Sequence, residues 1–229
     1  KKILEKWITD IRTACFETLG EYPFDMNVHF HESSNKERAV SFGHTRRNKF
    51  HELHFYVSPE ATYDELITDW IAPHEMSHLA IPFIGKSNKW FAEGFATYLS
   101  RRIMVQMGHY TETEFDSIYT TKVASVKEFY ADSVKSFAAV SNDLFENNNY
   151  SAVYWGGAGF FFSADKELQE EYNMRFTDVI VQYQTCCRLK DNDFESVLES
   201  FDEIIGSDHM VNLCNEYESI PCVEVMKNF

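Results

Sequence analysis

The chain has 229 residues, of which 44% are hydrophobic and 25% charged, so it is long enough and apolar enough to bury a core and is not a disordered segment. The net charge of −15 argues against nucleic acid or an anionic membrane as partner. No run of 18 or more apolar residues exists, which excludes a membrane-spanning helix in the sense of a simple hydropathy reading. The chain starts Lys1-Lys2, and Glu5 interrupts any signal-like apolar run. The expectation is a leader already removed or a piece of a longer chain, with a lean to an extracytoplasmic (periplasmic or secreted) location.

Leu4, Trp7, Ile8, Ile11, Ala14 and Cys15 recur at helical spacing over residues 3–18, and Gly20 and Pro23 then break the chain. Met26, Val28 and Phe30 alternate as in a strand. A second strand is expected over 38–43, with Val40 and Phe42 on one face, and a third over 51–57 from His51, Leu53, Phe55 and Val57. Residues 45–48 read as a polar turn joining the last two strands into a hairpin, with Arg46, Arg47 and Lys49 as solvated turn residues that could bind a substrate carboxylate if the turn overhangs a cleft. The histidines and glutamate of the strands (His29, His31, His44, Glu52, His54) read as ordinary half-exposed sheet positions, although their spacing also suits a second metal site.

Everything after Ser58 reads as helical. Thr62 and Glu65 have capping-box spacing, with Leu66, Ile67, Trp70 and Ile71 on one following face. Pro82, Gly85, Ser87 and Asn88 mark a loop. A helix then runs from about Trp90 to Gly108, and Thr111 and Glu114 repeat the capping-box spacing before another. Residues 147–149 form a polar loop, followed by helical patterns near 151–172, 177–188, 192–204 and 208–217. The five cysteines hold no C-x-x-C pair. Cys214 and Cys222 could pair, but buried free thiols are the simpler expectation, and adjacent Cys186 and Cys187 would point to different sides of a helix. The plan is α+β, with a small sheet in the first half and helices after it.

Residues 74–78 read His-Glu-Met-Ser-His. Residues four apart share a helix face, so His74 and His78 can offer two imidazoles to one metal ion, with Glu75 beside them as a base. Pro73 means that the helix either restarts there or bends. A catalytic zinc takes a third protein ligand, and it lowers the pKa of a water at its open position to about 7. Glu93 is the candidate, 15 residues beyond His78 and a lone carboxylate among Trp90, Phe91, Ala92, Phe95 and Ala96. Gly94 beside it suggests close packing. Thr97 and Asp69 are candidates for orienting the ligands.

His-Glu-Met-Ser-His followed by Trp-Phe-Ala-Glu-Gly-Phe-Ala-Thr-Tyr (90–98) resembles the gluzincin metallopeptidases, in particular the aminopeptidase N and glycyl aminopeptidase groups. The resemblance covers most of 60–221, and only 74–78 and 90–98 are specific. It implies a zincin-like fold, with a small twisted sheet over the helix bearing the histidines (1–80) and a helical lobe (81–229) in one catalytic domain of 1–229. It implies one Zn2+ per chain held by His74, His78 and Glu93, with Glu75 as general base and a peptide or protein as substrate. It also implies an oxyanion-stabilising tyrosine, matched by Tyr154 in Tyr154-Trp155-Gly156-Gly157-Ala158, with Tyr150 in reserve. Gly156 stands where the family pattern has lysine. The Gly-Ala-Met-Glu-Asn strand whose glutamate grips a free amine is absent, leaving Glu32 or Glu52 as substitutes and the choice between aminopeptidase and endopeptidase open. A zinc hydrolase of a non-peptide amide, ester or epoxide, and a catalytically silent binding module, are the rival readings.

Overall fold

Helix α1 (Lys2–Leu19) forms because Trp7, Ile11, Ala14, Cys15 and Leu19 fall on one stripe, and all five are buried. Gly20, at φ +83°, ends it. The computed structural model of the chain describes residues 1–47 and 49–228. Three strands follow: β1 (Met26–Glu32), β2 (Val40–Arg47) and β3 (His51–Val57). Their order is β1-β3-β2, with β1 parallel and β2 antiparallel to β3. The expected hairpin is therefore present, and β2, like β1, is an edge strand. Leu53, Phe55 and Val57 turn one sheet face to the core, where Trp7 of α1 meets Phe55 edge-on at 5.4 Å between ring centroids.

Two sequence expectations for the sheet are corrected. Val40 and Phe42 do not share a buried face: the β2–β3 register shifts between them, so Val40 is buried while Phe42 is 56% exposed. Residues 45–47 continue β2 instead of turning, and Asn48 lies outside the described residues.

The capping box of Thr62 and Glu65 opens α2 (Tyr63–Ile67), but the apolar face expected to run from Leu66 to Ile71 is split. The chain breaks and restarts as α3 (Ile71–His78), with the Asp69 carboxylate accepting from the Ile71 N–H at 2.8 Å. Pro73 thus sits in the first turn of α3, where a helix lacks an internal partner for the missing N–H. A loop leads to α4 (Lys89–Gln106), closed near Gly108 at φ +76°. The second capping box starts α5 (Glu112–Val126). Helix α6 (Phe137–Glu146), which the sequence pattern did not separate, begins on the Ser136 hydroxyl, which accepts from the Ala139 N–H. Then come α7 (Tyr150–Tyr172), α8 (Phe176–Cys186), α9 (Phe194–Ile205), α10 (His209–Ser219) and the short α11 (Cys222–Val225).

The architecture is α+β, a three-stranded sheet and otherwise mostly helices, with a single apolar core from Trp7 to Met226. Among the described residues no helix is long and apolar enough to cross a membrane. Cys186 and Cys187 are joined to each other by a disulfide, contrary to the expectation that they point apart; Cys15, Cys214 and Cys222 are free and buried.

Helices α4 and α7 approach each other backbone to backbone. A Cβ on Gly94 would lie 2.2 Å from the Gly157 carbonyl carbon, and one on Gly157 would lie 2.2 Å from the Trp90 carbonyl oxygen. Neither neighbour is a flexible side-chain tip, so only glycine fits at either position.

Candidate active site

The crossing of α4 and α7 sets the heights of two polar side chains, because Glu93 immediately precedes Gly94 and Tyr154 lies three residues before Gly157. Helix α3 supplies the rest. His74 and His78 lie one turn apart, and both direct Nε2 at one oxygen of Glu93, at 3.3 and 3.4 Å. A tetrahedral ion with bonds of about 2.0–2.1 Å separates its ligand atoms by roughly 3.3–3.4 Å, so both measured edges fit such an ion. Among the described residues, this is the one group of three or more His, Cys, Asp or Glu whose ligand atoms all lie within 4.8 Å of one another. Burial works against ionisation of Glu93. His78 and His74 outweigh it and hold the carboxyl well below the usual carboxylate range.

Glu75, the neighbour of His74 in sequence, faces β2 instead. The Thr45 backbone N–H lies close enough to act on its carboxylate, and a Cβ on Gly43 would lie 2.8 Å from its Cγ. Glycine at 43 is thus what lets the edge strand lie against α3. Burial pushes the Glu75 carboxyl up to about 7, and the Glu93 charge adds to this, while His74, Arg47 and the Thr45 N–H pull it down. A carboxyl so placed can take and give a proton near neutral pH.

The Tyr154 ring lies 5.5 Å from that of His74, and the Glu93 carboxylate is near enough to act on its hydroxyl electrostatically. Burial first, then the charges of Glu93 and Glu75, raise its pKa well above the usual tyrosine value, which keeps the phenol protonated as a donor. The departure at Gly156 has a steric cause. A Cβ there would lie 2.6 Å from the Tyr130 hydroxyl, which bonds to Ser141 and to the Ala152 carbonyl. Tyr150 is exposed, bonds to Asn148 and packs on Phe145, but does not itself border the cleft.

Glu75 and Tyr154 border two adjoining hollows. One, of about 340 Å³, also holds His78, Glu93, Arg47 and Lys89 and is walled by Phe42, Phe83 and Phe145. The other, of about 170 Å³, is bordered by His74, Trp70 and Arg38. Together they make a cleft along the free edge of β2 that passes the His74–His78–Glu93 group on both sides. Larger hollows elsewhere, of about 420 and 530 Å³, contain none of these side chains.

Arg47 was the residue that sequence reasoning misplaced. Its guanidinium donates to the His78 carbonyl and is drawn down to about 10, chiefly by burial. Arg188 donates to the Leu79 carbonyl at 3.0 Å, Gln184 to Ala80 at 2.9 Å, and the Tyr22 hydroxyl to Met76 at 2.9 Å. The carbonyls that end α3 are thereby satisfied, two of them by cations suited to the negative end of a helix. The signal was parity: Arg47 shares a strand face with Gly43 and Thr45. Arg46, one residue away, is exposed as expected.

Among the described residues, neither Asp69 nor Thr97 bonds to His74 or His78. Asp69 caps α3, and the Thr97 hydroxyl and His74 Nδ1 are both buried without a hydrogen-bond partner. Glu32 is exposed at the end of β1, and Glu52 lies between His29 and His54, so neither of the two substitutes for an amine anchor borders the cleft.

Residues 84–160 match the model of the M61 glycyl aminopeptidase family. The matched stretch contains Glu93 and Tyr154 and begins after His74 and His78. This match supports a metallopeptidase family and a peptidase activity. No curated protein sequence matches the chain.

Proposed function

We propose that the protein is a zinc-dependent peptidase of gluzincin type on a zincin-like fold. The observation that carries this reading is the convergence of His74, His78 and Glu93 at tetrahedral ligand spacing, in a cleft that Glu75 and Tyr154 also border. His74, His78 and Glu93 would hold one Zn2+, whose chemistry is to polarise a carbonyl and to make a water acidic near neutral pH.

The other residues have separable tasks. An extended substrate backbone can pair with the free edge of β2, which places a peptide bond across the cleft. Glu75 takes the proton of the attacking water and delivers it to the departing amine. The Tyr154 hydroxyl donates to the oxygen that becomes negative as the carbonyl carbon turns tetrahedral, a stabilisation felt only in the transition state. With the cleft open on both sides of the site and no further carboxylate bordering it, cleavage within a peptide fits better than capture of a free amino terminus.

The test is metal content and peptide hydrolysis in the wild type and in Glu75→Gln. The same zinc stoichiometry in both, with turnover lost in the variant, is expected. A folded wild type that takes up no zinc would overturn the reading.

A further inference from the structure

The outer face of the sheet carries a second meeting of imidazoles and a carboxylate. His29 of β1 and His44 of β2 both stand in register with His54 of β3. Their rings stack on that of His54 at 4.6 and 4.7 Å between centroids, within 11° and 3° of parallel. Glu52, two residues before His54 on the same face, reaches both flanks: one oxygen is 3.8 Å from His29 Nε2 and the other 3.7 Å from His54 Nε2. His54 is only 8% exposed, yet its Nε2 has no hydrogen-bond partner.

The opposite nitrogen of His54 is already engaged. His54 Nδ1 and His31 Nε2 are 2.9 Å apart, a hydrogen bond that fixes the ring and leaves Nε2 directed at Glu52. A neighbour of this kind, holding the far nitrogen, is what orients a metal-bound histidine. Arg46 stands in register with Glu52 across β2, yet no ion pair between them occurs among the described residues. Among the described residues, the ion-pair partners of this carboxylate are the two imidazoles.

We propose that His29, Glu52 and His54 form a second divalent-metal site, with His31 positioning His54. The donor set of two imidazoles and one carboxylate suits Zn2+, Ni2+ or Cu2+. These two edges run to different oxygens of Glu52 and exceed those of a closed tetrahedral site by about 0.4 Å, given bonds of roughly 2.0–2.1 Å. The three residues do not bring one ligand atom each within 4.8 Å of one another, so binding an ion requires the 45%-exposed His29 side chain to swing inward. The site faces outward, so water completes the coordination, and an ion there ties β1 to β3 through side chains as well as through their ladder.

Titration with Ni2+ in a His78→Ala background isolates this site, because that change removes a ligand of the cleft group. One equivalent is expected to remain bound, to disappear in His78→Ala with His29→Ala or with Glu52→Gln, and to weaken roughly tenfold with His31→Phe. Circular dichroism checks that each variant is folded. Should the His78→Ala background fail to fold, the wild type is compared with His29→Ala, and the second of two equivalents must vanish. No bound ion beyond the cleft site, or an ion that survives both His29→Ala and Glu52→Gln, overturns the proposal. The outcome is independent of the peptidase reading, since it does not require the cleft to be loaded or active.

Discussion

Two groups of two histidines and one glutamate occur in this chain, one built on helices and one on strands. On α3 and α4 the donor edges are 3.3 and 3.4 Å; on β1 and β3 they are 3.8 and 3.7 Å. The difference follows from backbone geometry. A helical turn rises 5.4 Å and stacks residues four apart on one face, and a second helix can approach until its carboxylate meets both rings. Strands are held about 4.8 Å apart by their ladder, so side chains across it stand parallel instead of converging. The helical group is thus preformed and largely buried, and the sheet group needs one ring to move.

The comparison can be broken most severely at the helical group. His78→Ala should abolish measurable hydrolysis, and dialysis of the wild type against a chelator should do the same, with activity restored by added Zn2+; hydrolysis that survives both treatments would disconnect the group from the chemistry. Tyr154→Phe keeps the ring and removes only the donor. Its expected cost is a factor of about 10²–10³ in kcat with little change in KM, as for loss of one oxyanion donor. A larger effect on KM than on kcat would assign Tyr154 to substrate binding instead.

Two further changes probe how firmly the helices hold their donors. Gly157→Ala drives a methyl into the Trp90 carbonyl and should cost about 3 kcal/mol. In a chain of this size that lowers Tm by roughly 6–12 °C, measurable by calorimetry. Zinc affinity should fall with it, because Glu93 is carried on the displaced helix. Asp69→Ala removes the side-chain acceptor at the start of α3 and should cost only about 1 kcal/mol. An equal loss from both changes would mean that the crossing of α4 and α7 is not what holds the site.

The helical group was legible in the sequence for the same reason that it is preformed. His74, Glu75 and His78 lie within one turn and a half, and Glu93 follows on the next helix, so local periodicity carries nearly all the information. The two Thr–Glu capping boxes were legible on similar terms. Tyr154 depends on a contact between Gly94 and Gly157 that no local pattern encodes, and only the flanking residues pointed to it. The sheet group needed the parallel pairing of β1 with β3, strands separated by the whole of β2. Its histidines therefore read as ordinary sheet positions until the register was known. Phe42 and Arg47 were misread because a register shift and an extended strand changed which residues face α3.

The backbone contact between Gly94 and Gly157 also limits how the cleft can breathe. Helices that touch through their main chains cannot slide past one another without first separating, and the buried aromatic rings around Phe91 and Phe161 oppose separation. The α4–α7 wall is therefore the stationary jaw. Any widening that admits a bulky chain falls to the opposite jaw, the edge strand β2 with its exposed Phe42 and the segment around Phe83, so the two exposed phenylalanines mark the side of the mouth that gives way.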